Sequence, residues 1–328
     1  MKRKKLFPLL VLLLVLAGLF FAARFIDGSR AVSSGAGLSP TREKYAVALP
    51  TLVWQGKTYE WNSKLRTILF IGVDKEGPAE DSGVYYNLGH ADFLMLGIVN
   101  DEEKTFSLLH VNRDTMAEVT LLGLGGKRAG TSVMQIALSH TYGSGMELSC
   151  ENTVEAVSRL LLDTPVDRYL AMQMDGVGKL NDGLGGITLT LSEDIPGYPR
   201  LKKGETVTLQ GDEALAYVRG RMTVADGTNV NRMGRQREYI RAFIDALRAK
   251  ADDIDFAEKA LVSIEDYYVT DMQAGELVSL SSLLTDYSFA DMEAVEGTMD
   301  YSHDFAEFYV DGEALIQQLI RLCYLPRE

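Results

Sequence analysis

Cysteine, proline and tryptophan are scarce in this 328-residue chain, at 2, 8 and 2 residues. Two cysteines far apart in sequence, Cys150 and Cys323, exclude a disulfide-stapled miniprotein and a CxxC metal knuckle. One disulfide in an exported domain and two buried thiols both stay open. The four histidines, His90, His110, His140 and His303, show no HExxH or other metal-ligand spacing. Gly143-Ser144-Gly145 lacks the rest of a GxSxG elbow. The glycine-rich stretches after Gly123 and Gly183 read as turns and helix caps rather than phosphate loops. Basic residues are in deficit too, 33 Lys and Arg against 46 Asp and Glu, a formal charge of −13. Nucleic-acid binding over the whole surface is excluded, because such a surface repels phosphate.

The deficit is uneven. Lys2, Arg3, Lys4, Lys5 and Arg24 stand in a stretch without acids, so the chain beyond Arg24 carries 28 bases against 46 acids, or −18. Between the two basic groups, Leu6 to Ala23 is an uncharged run of 18 residues. About 20 apolar residues cross the hydrocarbon layer as a helix. A cleaved signal peptide is the rival, but Phe21-Ala22-Ala23 puts a bulky residue where its cleavage site needs a small one. The reading is a cytoplasmic tail (1–5), an uncleaved transmembrane anchor (6–26), a Gly/Ser/Ala-rich stalk (27–44) and an extracellular domain (45–328). No cysteine ends the apolar run, so no lipoprotein anchor is indicated.

Within the domain, Thr67–Val73, Phe93–Val99, Thr105–Val111, Tyr169–Met174 and Ile187–Leu191 are short apolar runs that predict strands. Asn100 to Glu103 predicts a hairpin turn. Helices are expected at Ser132–Tyr142, Glu151–Leu162, Asp175–Asn181, Asp212–Val218, Arg235–Lys250 and Glu313–Cys323. Strands buried on both faces, interleaved with helices, predict an α/β domain: a layered mixed β-sheet flanked by helices. Sites in such sheets form where strands hand over to loops.

Three groups of residues there carry potential chemistry. Asp74, Asp92 and Asp114 sit at strand ends, as turn residues or caps, or as carboxylates sharing a hard cation. Arg113 adjoins Asp114, as a local ion pair or as an anion ligand. Residues 219–241 hold Arg219, Arg221, Arg232, Arg235, Arg237 and Arg241 against two acids, a local +4 without a single lysine. The planar guanidinium fork matches phosphate oxygens, although an arginine-rich solvated face would read the same way.

In order along residues 65–248 stand Gly72-Val73-Asp74, Ala91-Asp92-Phe93-Leu94, Asn112-Arg113-Asp114-Thr115, Met174-Asp175-Gly176-Val177, Leu180 to Gly186, Ala216-Tyr217-Val218-Arg219-Gly220-Arg221 and Asn229 to Gln236. This succession resembles the LytR-CpsA-Psr family of membrane-anchored envelope proteins. The resemblance implies transfer of a glycopolymer phosphate from a polyprenyl-diphosphate-linked glycan to a peptidoglycan hydroxyl, with Mg2+ or Mn2+. By position it implies Asp74 and Asp92 as metal ligands, and Arg113, Asp114, Arg219 and Arg221 as catalytic residues. Arg113, Arg219, Arg221, Arg232, Arg235 and Gln236 would grip the diphosphate, with Asn229 orienting the acceptor or an arginine. Two positions depart from the pattern: Asn112 stands for a proline, and Asn229 for an aspartate in many members. The 17 residues from Lys75 to Ala91 also make a long interval between the two metal candidates.

The expectation is therefore an enzyme with a polyprenyl-diphosphate glycan, peptidoglycan and the membrane as partners. The alternative is a non-catalytic lipid-diphosphate or polyanion-binding regulator of envelope assembly. A DNA-binding attenuator is disfavoured by the acidic domain and the lack of a helix-turn-helix cue.

Overall fold

The apolar runs between Leu65 and Val111 form the centre of a six-stranded sheet in a computed structural model of the chain. The structure describes residues 49–220, 228–250, 262–273, 275–277, 280 and 285–327. The expected anchor, stalk and Arg221 lie outside them. No helix among the described residues is long and apolar enough to cross a membrane.

The strands are β1 (Thr51–Trp54), β2 (Lys57–Trp61), β3 (Leu65–Val73), β4 (Ala91–Asn100), β5 (Thr105–Val111), β6 (Met116–Leu122), β7 (Arg128–Gln135), β8 (Arg168–Gln173), β9 (Ile187–Thr190), β10 (Thr206–Leu209), β11 (Tyr268–Thr270), β12 (Ser288–Ala294), β13 (Gly297–Asp300), β14 (Glu307–Val310) and β15 (Tyr324–Pro326). The helices are α1 (Glu147–Leu160), α2 (Met174–Gly183), α3 (Asp212–Arg219), α4 (Asn229–Arg248) and α5 (Gly312–Cys323). The main sheet runs β11-β8-β3-β4-β5-β12. Its β3–β8 and β5–β12 pairs are parallel and the others antiparallel, so the expected mixed α/β architecture is present.

Alternation along the central strands splits their side chains between two cores. Leu69, Ile71, Leu94, Leu96 and Leu109 join Val154 and Val157 of α1 and Leu315 and Leu319 of α5. Phe70, Phe93, Met95 and Leu108 turn the other way, towards Ile240 and Ile244 of α4. The sheet therefore lies between helices on both faces. The β4–β5 turn forms as expected, because Asn100 Oδ1 accepts hydrogen bonds from the backbone of Glu102 and Glu103 at 3.1 and 3.0 Å.

Two expectations need correction. The helix expected at Ser132–Tyr142 is instead the end of β7 followed by a 3-10 turn, Ile136–Thr141. Thr131, Ser132 and Val133 favour an extended chain and pair with β6, while Ile136 and Ala137 are fully buried. The apparent periodicity joined two elements. Helix α4 begins at Asn229, six residues ahead of the expected Arg235. Its polar first turn carries little apolar signal, and Thr228 caps it by accepting from the Asn231 backbone at 3.3 Å. Cys150 and Cys323 are both buried free thiols, which settles the two readings of the pair.

Candidate functional site

Antiparallel pairing of β3 with β4 and of β4 with β5 brings three sequence-distant segments to one end of the sheet. These are the end of β3, the start of β4 and the end of β5. Asp74 follows the first, and its backbone donates to the His90 carbonyl at 2.9 Å. Gly72 pairs with Phe93, but Val73 pairs with Ala91, so Asp92 is the extra residue of a β-bulge. A Cβ on Gly72 would stand 2.8 Å from Phe93 Cβ, so this close approach requires glycine.

Asp92 gathers the arginines. Its Oδ1 accepts from Arg113 Nη1, and its Oδ2 from Arg232 Nη1 at 3.1 Å. The Asp92 side chain is 10% exposed, and that of Arg232 only 5%. Arg113 also pairs through Nε with Asp114 at 3.3 Å. Asp114 is fully buried and accepts from Gln135 Nε2 at 3.2 Å. Two guanidiniums, one from the loop after β5 and one from α4, thus meet on a single carboxylate.

The loop after β5 is shaped by Asn112. Its carbonyl accepts from the Thr115 hydroxyl and backbone at 2.6 and 3.0 Å. Its Oδ1 accepts from the Asp114 backbone at 3.0 Å and from Asn229 Nδ2 at 2.6 Å. Asn229 Oδ1 accepts in turn from Arg232 Nε and Nη2, at 2.9 and 2.6 Å. The neutral amide at 229 therefore orients Arg232 as a carboxylate would, without adding negative charge. The joint role of Asn112 and Asn229 was not readable in sequence, because 117 positions separate them.

The remaining expected residues divide. Arg219, half exposed at the end of α3, reaches Asp74 at 3.2 Å and Glu76 at 3.7 Å. Arg235 is 2% exposed and spends Nε on the Tyr217 carbonyl at 3.0 Å and Nη2 on the Gly220 carbonyl. Those bonds tie α3 to α4, so Arg235 faces backbone carbonyls where Arg113 and Arg232 face Asp92. Gln236 likewise donates to the Val218 carbonyl at 3.1 Å. His110, at the end of β5, stays neutral: burial first, then the charges of Arg237 and Arg232, push it down to about 3.

Asp74 and Asp92 offer the hard oxygen donors that Mg2+ or Mn2+ takes, on adjoining strand ends. Both Asp92 oxygens accept from guanidiniums, however, so the donor set would suit a hard cation only if Asp92 gave up one of those bonds.

A family model described as the LytR_cpsA_psr family matches residues 44–320. The chain belongs to that family. A polyisoprenyl-teichoic acid–peptidoglycan teichoic acid transferase, TagU of Halalkalibacterium halodurans, is 31% identical over 218 residues, 66% of this chain and 64% of that protein. TagV of Bacillus subtilis, described likewise, is 26% identical over 282 residues, 81% of this chain and 66% of the relative. Each of these matches spans just under two thirds of the curated relative's length. The crystal structure of B. subtilis TagV superposes with a TM-score of 0.60 at 26% identity, covering 80% of this chain and 96% of that one. A structure of TagT bound to LI-WTA gives a TM-score of 0.61 at 22% identity over 89% and 98%, a likeness of fold.

Proposed function

We propose that this protein transfers an anionic glycopolymer, of teichoic acid or capsular type, from a polyprenyl diphosphate to peptidoglycan. The observation that carries the reading is the convergence of Arg113 and Arg232 on Asp92, with Arg219 on Asp74 beside them. Guanidiniums fixed from separate elements form a receptor for a diphosphate, and their carboxylate partners hold them in place until it arrives. Family membership and the transferase names of the relatives support the same reaction.

In this reading Arg113, Arg219 and Arg232 bind the diphosphate oxygens and stabilise the charge that builds on them. The acceptor hydroxyl gives up its proton to solvent and attacks the glycan-side phosphorus, the bridging P–O bond breaks, and polyprenyl phosphate leaves with the electron pair. In phosphoryl transfer, positioning and charge neutralisation carry most of the catalysis. A divalent cation held by Asp74 and Asp92 would neutralise diphosphate charge; Asn229 and Asn112 keep Arg232 and the Arg113 loop in register. The Leu6–Ala23 run would anchor the chain with its large domain outside, where both substrates meet.

The test is turnover. Full-length protein with a short-chain prenyl-diphosphate glycan, Mg2+ and peptidoglycan should release prenyl monophosphate, and Arg113→Ala should abolish release. Binding without release would favour the regulator. Protease added to intact spheroplasts should digest the domain; protection would reject the topology.

A further inference from the structure

The β13–β14 hairpin borders the loop that carries Arg113, and its two strands meet in an unusual pair. Asp300 and Glu307 are directly opposed in the ladder, where like charges repel. Glu307 is only 6% exposed. Among the described residues no lysine or arginine reaches it: its Oε2 accepts from the Tyr309 hydroxyl at 2.5 Å and lies 3.1 Å from His303 Nδ1. A buried carboxylate facing another carboxylate calls for a positive partner.

The loop Tyr301–Ala306 folds back so that His303 fills the space between the two acids. Its Nδ1 is 4.0 Å from Asp300 Oδ2, and one ligand atom from each of Asp300, His303 and Glu307 lies within 4.8 Å of the other two. The Ser302 backbone donates to Asp300 Oδ1 at 2.8 Å, which turns the other oxygen to the cluster. The Tyr309 hydroxyl plays the same orienting part at Glu307. The three residues span only eight positions, but two belong to facing strands and one to the loop. Sequence spacing therefore gave no ligand signature, and His303 carried no metal signal there.

We infer that Asp300, His303 and Glu307 bind one first-row transition-metal ion of the zinc class. One imidazole nitrogen and two carboxylates are a set that Zn2+ accepts, with a fourth position open to solvent beside the half-exposed His303. Mg2+ and Ca2+ prefer oxygen ligands alone, so this site differs in chemistry from Asp74 and Asp92. The ion closes the hairpin tip, and the hairpin is fastened to the arginine loop. The Phe308 backbone donates to the Asp114 carbonyl at 2.9 Å. Gln135 Nε2 reaches both the Ala306 carbonyl at 2.6 Å and Asp114 Oδ1 at 3.2 Å. Asn112 Nδ2 approaches Met299 Sδ at 3.5 Å. The bound ion thus stiffens one wall of the Arg113 loop without touching a reacting atom.

The site is independent of the proposed reaction and is tested without turnover. Tag-free full-length protein in detergent, stripped with chelator, is titrated with Zn2+ by calorimetry and with Co2+ by visible absorption. One saturable equivalent is expected, with a Co2+ band that a large excess of Mg2+ does not erase. His303→Ala changes an exposed loop residue, so the fold should survive, as circular dichroism will verify. It should weaken Zn2+ at least about tenfold and remove the band, Glu307→Gln should act alike, and His90→Ala should change neither. If Glu307→Gln does not fold, His303→Ala decides. Absence of saturable Zn2+ binding, or equal binding by wild type and His303→Ala, overturns the inference and leaves the transferase reading untouched.

Discussion

Asn112 and Asn229, 117 positions apart, are hydrogen-bonded side chain to side chain at 2.6 Å. Asn229 passes a hydrogen bond to Asn112 and takes two from Arg232, so the loop after β5 and the first turn of α4 move as one unit.

Asn229→Ala removes both links. Charge-assisted hydrogen bonds are worth ~1.5–3 kcal/mol, so binding of a soluble prenyl-diphosphate glycan should weaken about tenfold or more. Asn229→Asp keeps the acceptor for Arg232 but loses the donor to Asn112, and its loss should be smaller. An alanine variant that binds like wild type would show that Arg232 needs no such support.

Arginine-to-lysine exchange should separate the clamp from the scaffold. Arg219→Lys, at a half-exposed position, should lower ligand affinity while leaving the urea midpoint nearly unchanged. Arg235→Lys should do the reverse, because lysine cannot serve both the Tyr217 and Gly220 carbonyls from that buried position. A destabilisation of roughly 2 kcal/mol is expected. Equal midpoints for the two variants would refute this division.

Asp92 should matter for folding as well as for binding. Asp92→Asn leaves Arg113 and Arg232 without their shared carboxylate, and breaking a buried ion pair costs about 3–5 kcal/mol. Calorimetry on wild type should show weak Mg2+ binding alone and stronger binding with prenyl diphosphate, which draws the arginines off Asp92. If Asp74→Asn preserves that enhancement, Asp74 is not a ligand.

Acid should loosen the fold through two buried histidines. Burial pushes His140 down to about 4, and the Gly89 carbonyl only partly offsets it; His110 lies lower still, at about 3. Unfolded, each takes up its proton near the ordinary 6.5. Between those values the unfolded chain holds more protons. The stability from keeping them neutral is complete above about 6.5 and falls as pH drops, by up to ~1.4 kcal/mol per unit for each histidine. Urea midpoints at about pH 7.5 and about pH 5 should differ, and His140→Asn should reduce the difference. A midpoint indifferent to pH would sink the assignment.

The central sheet was legible because Thr67–Val73, Phe93–Val99 and Thr105–Val111 are apolar on both faces, a signal that survives without partners. The edge strands were not, because β11 and β12 are short or mostly polar and are fixed by the strands beside them. At the site, motif order located Asp74, Asp92, Arg113 and Arg232. It could not tell a guanidinium facing the sheet end from one facing carbonyls, so Arg235 and Arg232 looked alike three residues apart. Their partners distinguish them, the Asp92 and Asn229 side chains for Arg232 and the Tyr217 and Gly220 carbonyls for Arg235, and tertiary packing sets both.

Strand β15 pairs with β2, Tyr324 opposite Trp61, and the Asn62 backbone donates to the Cys323 carbonyl at 2.9 Å. The clasp has a consequence in time. Residues that emerge early from the ribosome wait for those more than 260 positions later, and β12 reaches the sheet edge almost as late. Closing such long loops is slow. The clasp on β2 therefore closes only after the segment that carries β15 has been made.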